Sequence, residues 1–129
     1  MKTPPKGVSL ALALALAGSL SIASPASAKG TKTAKGNCSA SSDWKLTAAD
    51  KKGRIQVIGT VKARKGGQTW AWKLYHNGDL SDSGSKTLKK SQKVLTIKRN
   101  MVNLSGKDGI VFTAENAGTD ESCRGTLSK

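Results

Sequence analysis

Apolar and polar residues alternate one by one through most of this chain, and that alternation restricts it to strands. Trp44, Leu46 and Ala48 share one side of a first run, with Asp43, Lys45 and Thr47 on the other. Ile55, Val57, Gly59, Val61 and Ala63 share one side of a second, against Gln56, Ile58, Thr60 and Lys62. Successive side chains of a strand point to opposite faces, so each run predicts a strand with one buried face. Trp70, Trp72 and Leu74 mark a third strand, and a short, polar fourth through Leu80 has the look of a sheet edge. Leu95 and Ile97, then Ile110, Phe112 and Ala114, then Cys123, Gly125 and Leu127 mark three more. Turn residues interrupt the pattern, most clearly Asn77-Gly78, because a two-residue hairpin needs positive φ at both central positions. Gly59 leaves a gap in mid-strand, which a tryptophan ring from a facing sheet is expected to fill. No helical period is sustained anywhere. About seven short strands predict an all-β fold, a two-sheet sandwich of the immunoglobulin-like or fibronectin-III-like kind.

The 129 residues divide into three parts. Residues 1–28 read as a signal peptide, with Lys2 and Lys6 before an apolar run over residues 8–17 and Ala26-Ser27-Ala28 as the cleavage site. That run is far short of the roughly 20 residues a membrane-spanning helix needs. Residues 29–37 are basic and polar without periodicity, and are expected as a flexible arm. Residues 38–129 then form the β-sandwich domain. The address implies a secreted protein, released or held at the envelope by non-covalent forces, in a compartment where thiols oxidise. Cys38 and Cys123 are the only cysteines and stand 85 positions apart. A disulfide between them is expected to join the ends of the domain, worth roughly 4 to 5 kcal/mol on the chain-entropy model. Cys38 does not read as a lipid-anchored cysteine, because Lys35-Gly36-Asn37 precedes it instead of a short apolar stretch.

Charge says more about partners than about fold. The chain carries 22 Lys and Arg against 8 Asp and Glu, for a formal net charge of +14. Such an excess draws a protein toward polyanions. The only arginines are Arg54, Arg64, Arg99 and Arg124. Planar, two-pronged recognition of bases and phosphates favours arginine, so a lysine-rich surface implies diffuse attraction and no specific nucleic-acid recognition. If the first, second and fifth strands share a sheet, Lys45, Lys62 and Lys98 project from its outer face beside Thr47, Thr60 and Thr96. Lys86, Lys89, Lys90 and Lys93 form a second candidate anion-binding set near the opposite hairpin. The plain alternative for both is a solubilising surface.

Several short segments are similar to those of a group of small secreted proteins from high-GC Gram-positive bacteria. They are Cys38-Ser39, Trp44-Lys45-Leu46, Gly53-Arg54-Ile55, Gly67-Gln68-Thr69-Trp70, His76-Asn77-Gly78, and Ala114-Glu115-Asn116 leading to Cys123. The resemblance spans about residues 38–128 and implies a single exported β-sandwich with one terminal disulfide. Its motifs are structural and bring no catalytic residue with them. Trp72 departs from the group, where an aliphatic or smaller residue is expected.

Catalytic chemistry finds little purchase. His76 is the only histidine and abuts the Asn77-Gly78 turn, which suits a strand-end residue better than a general base. No nucleophile elbow, zinc-binding His-Glu-x-x-His or phosphate-cradling loop occurs. The oxygens from Asn77 to Ser83 lack the spacing and closing glutamate of a calcium loop. Trp44, Trp70 and Trp72 alternate with polar neighbours, so they are expected in the core and not on a sugar-stacking platform. The expectation is a monomeric, non-enzymatic binding or structural module without cofactor or metal, partnered by an anionic cell-wall polymer or other extracellular polyanion. The alternative is a secreted effector, antimicrobial or hydrolase-inhibitory, acting through an exposed loop.

Overall fold

The computed structural model describes residues 30–129; the expected signal peptide lies outside the described residues. Eight strands follow one another: β1 (Thr31–Asn37), β2 (Asp43–Lys51), β3 (Arg54–Lys62), β4 (Thr69–His76), β5 (Asp79–Thr87), β6 (Val94–Val102), β7 (Gly109–Asn116) and β8 (Ser122–Ser128). They form two antiparallel sheets of four, in the orders β1-β2-β3-β6 and β5-β4-β7-β8. This is the two-sheet sandwich that the alternation predicts, with one strand more. No described helix is long and apolar enough to cross a membrane.

The additional strand is β1. Residues 29–37 were expected as a flexible arm, yet Thr31–Asn37 pairs along its whole length with β2, from Thr31 opposite Ala49 to Asn37 opposite Asp43. Composition misleads here because β1 lies at a sheet edge and presents almost nothing apolar to the core. Its contribution to packing is an absence: a Cβ on Gly36 would come within 2.9 Å of the Trp44 ring directly opposite.

The inward positions of both sheets are those of the alternation. Leu46, Ile55, Val57, Val61, Trp70, Leu74, Leu95, Ile110 and Phe112 are fully buried, with Trp72, Ile97 and Met101 nearly so. Burying a side chain of this kind contributes about 1.5–3 kcal/mol against conformational entropy. Trp44 is only partly buried and packs at the margin of this core. Gly59 does lie beneath an aromatic ring, but that ring belongs to Phe112, 2.8 Å from where a Cβ would stand. The tryptophans are committed elsewhere, Trp44 against Gly36 and Gly125, and Trp72 against Gly84.

The two flanks are closed differently. On one, β8 packs against β1 and β2, and Cys38 is bonded to Cys123 as expected. Beside the bridge, the buried Glu121 carboxylate accepts from Ser42 N (2.8 Å), Ser42 Oγ (2.9 Å) and Ala40 N (3.2 Å), which holds the β1–β2 connection. On the other flank, Arg99 of β6 donates to Asp82 of β5 across the gap between the sheets, at 2.6 Å. The Arg99 guanidinium also lies 4.9 Å from the centre of the Trp72 ring. Asn77 and Gly78 both have positive φ, as the hairpin requires.

Candidate functional site

The outer face of the β1-β2-β3-β6 sheet is built in ranks by its register. Lys35, Lys45, Thr60 and Thr96 stand side by side across the four strands. The next rank toward the β1–β2 connection is Asn37, Asp43, Lys62 and Val94. On the opposite side come Thr33, Thr47, Ile58 and Lys98. Adjacent members of a rank are about 4.8 Å apart from strand to strand, and ranks are about 6.7 Å apart along the strands. The face therefore carries lysines and threonines in a regular grid.

A groove of about 600 Å³ opens on this grid, lined by Lys35, Asn37, Asp43, Lys45, Thr60 and Lys62, with Gly36, Trp44 and Val94 completing it. Long lysine stems supply apolar walls while their ammonium groups remain in water. A second hollow of about 300 Å³ shares Asp43 and Lys62 and adds Arg64 and Lys93. The cations thus form a band running across the strands from β1 to the start of β6. Asp43 is the one carboxylate on this face, against Lys35, Lys45, Lys51, Arg54, Lys62 and Lys98.

The structure brings Lys45, Lys62 and Lys98 onto one surface, on β2, β3 and β6 as expected. It divides the second set. Lys93 adjoins Lys62 at the end of the groove, because its carbonyl accepts from Ala63 N at the end of β3. Lys86 stands on β5 opposite Trp70, while Lys89 and Lys90 lie in the β5–β6 connection, where the Lys90 stem passes over Gly67. Lys35, Asn37 and Arg64 are additions the alternation does not reveal. The threonines at residues 31 and 33, strand-favouring and two positions apart, were the available signal for β1.

Other candidates are otherwise engaged. His76 Nε2–H donates to Asp108 Oδ1 at 2.6 Å, and both side chains are largely buried. The same carboxylate oxygen accepts from Leu104 N (3.3 Å), and the Asp108 backbone pairs with Lys129 in both directions. This histidine closes the end of β4 against the β6–β7 connection. In the Asn77–Ser83 segment, Asn77 Oδ1 accepts from Gly109 N and Asp82 is paired with Arg99. The Arg99 hydrogen bond, and then that from Ser83 N, hold the Asp82 carboxyl below its ordinary value. Among the described residues, no three His, Cys, Asp or Glu side chains are grouped to hold a metal ion.

Comparison with protein-family models, with curated proteins and with solved structures gave no match for this chain, so its surfaces are interpreted from their own residues.

Proposed function

We propose that this protein is an exported, non-enzymatic binding module that associates with anionic polymers outside the cell through the outer face of its β1-β2-β3-β6 sheet. The observation that carries this reading is the groove bordered by Lys35, Lys45 and Lys62 and prolonged by Arg64 and Lys93. Three strands and two connections contribute to one cationic band, whereas a merely solubilising surface needs no such continuity. The disulfide fits an oxidising compartment, and the leader at residues 1–28 supplies the route. Lysine in place of arginine suits a partner recognised by charge spacing, not by a fixed planar group. A wall phosphate polymer or an acidic polysaccharide meets that description.

Binding of this kind releases counterions, so affinity falls linearly with the logarithm of salt concentration. Measured with inorganic polyphosphate as probe at about 50 and 300 mM salt, affinity should drop by an order of magnitude or more for three or four contacts at roughly 0.7 each. Equal affinity at the two salt concentrations would contradict the reading.

A further inference from the structure

Four large aliphatic side chains stand exposed among the described residues, and three of them gather at one pole of the sandwich: Leu80, Val102 and Leu104, at 56, 57 and 45 %. This is the pole where β2 turns into β3, β4 into β5, and β6 crosses to β7. Val102 stands opposite Arg54 at the end of the β3–β6 ladder. Leu104 N donates to Asp108 Oδ1, which also accepts from His76, and His76 stands opposite Asp79, the neighbour of Leu80. Strand register and the Leu104–Asp108–His76 hydrogen bonds therefore place the three residues at the same end of the sandwich.

Cations surround them. Lys51, Lys52 and Arg54 occupy the β2–β3 turn, and Lys107 lies in the β6–β7 crossing. Of the neighbouring acids, Asp108 is buried beside His76 and Asp50 is paired with Lys129 Nζ at 2.9 Å, while Asp79 is exposed. Single exposed aliphatics are ordinary, but three collected at one end and ringed by lysine and arginine combine the two attractions that hold a protein on a charged bilayer.

We propose that this pole docks on an anionic lipid surface, with Val102, Leu104 and Leu80 entering the headgroup layer and Lys51, Lys52, Arg54 and Lys107 facing lipid phosphates. A second copy is a poorer occupant. A two-fold contact through this pole would set its cations against the same cations of the other copy. The surface is separate from the groove, which lies at the other end of the β1-β2-β3-β6 face.

The test uses residues 29–129, which contain every described strand, the disulfide and no apolar leader. Co-sedimentation with vesicles of phosphatidylglycerol and phosphatidylcholine should exceed that with phosphatidylcholine alone by at least tenfold. The double variant Val102→Asn/Leu104→Asn keeps every charge, and its partition onto the anionic vesicles should fall about tenfold with no loss of polyphosphate binding. Leu104→Cys, labelled with an environment-sensitive dye at the one free thiol, should shift to the blue on those vesicles. Three results would overturn the proposal: equal partition of the double variant, an unshifted label, or lipid-free dimerisation of the wild type that the double variant abolishes.

Discussion

Trp72 stands directly opposite Gly84 in the β4–β5 ladder, and its indole occupies the space a side chain on residue 84 would need, 2.9 Å from the missing Cβ. Trp44 repeats the arrangement against Gly36 in the β1–β2 ladder, also at 2.9 Å. Each flank of the sandwich is thus sealed by a tryptophan lying over a glycine of the neighbouring edge strand. The tryptophan at position 72 is matched by a strand-mate without a side chain. Replacing either glycine by alanine should destabilise the fold by less than Gly59→Ala, because an edge strand can lift away. Gly59 is central, and its missing Cβ would lie 2.8 Å from the enclosed Phe112 ring. Gly59→Ala should cost about 1–3 kcal/mol, read from urea unfolding midpoints.

The Cys38–Cys123 bridge closes 85 positions of chain and holds β8 beside the β1–β2 connection. The double variant Cys38→Ser/Cys123→Ser should lose roughly 2–5 kcal/mol of stability in urea. Retention of full stability would mean that the flank is held by packing alone.

Glu121 offers a sharper test of the same flank. Glu121→Ala leaves Ala40 N, Ser42 N and Ser42 Oγ without their acceptor, and should cost about 2–3 kcal/mol. Glu121→Gln keeps one oxygen for the backbone donors and turns its amide toward Ser42 Oγ, which then accepts. Its cost should be about 1 kcal/mol or less. Equal losses in the two variants would deny the carboxylate its role as an acceptor.

Across the sandwich, the Arg99–Asp82 pair predicts an acid-sensitive signal. The Asp82 carboxyl is lowered from an ordinary value of 3.8, chiefly by its hydrogen bond from Arg99. A lowered carboxyl stabilises the fold above its unfolded value, and that contribution disappears as pH falls through the folded value. The effect on stability is small, since both side chains are over two-fifths exposed. Arg99 also touches Trp72, so the change should be visible as an alteration of tryptophan emission below pH 3.8. Asp82→Asn should show the altered emission already at neutral pH and lack that transition. Identical acid titrations for the two proteins would separate Trp72 from the pair.

Much of this architecture is legible in the sequence because one physical rule governs it: a half-buried strand must alternate. Ile55 to Ala63 and Trp70 to Leu74 announce their inner faces, and the grouping of β2, β3 and β6 puts Lys45, Lys62 and Lys98 where that rule implies. The rule fails at β1, where no residue is fully buried and the inward positions are Ala34 and Gly36, too small to register as an apolar face. Gly59 shows that a space exists, but whether Phe112 or a tryptophan fills it depends on how the second sheet lies across the first. The His76–Asp108 contact and the move of Lys93 to the groove arise from connections between distant segments. Local pattern carries no trace of them.

The central claim is that the cationic band is a binding surface and not general positive charge. Its most direct test is the salt dependence of polyphosphate affinity for two triple variants with the same net charge. Removing three contacts with Lys35→Gln/Lys45→Gln/Lys62→Gln should reduce the slope of log affinity against log salt by about 2. Lys86→Gln/Lys89→Gln/Lys90→Gln should leave that slope close to the wild type. Equal reductions in the two variants would show that the partner senses total charge alone, and would contradict the account.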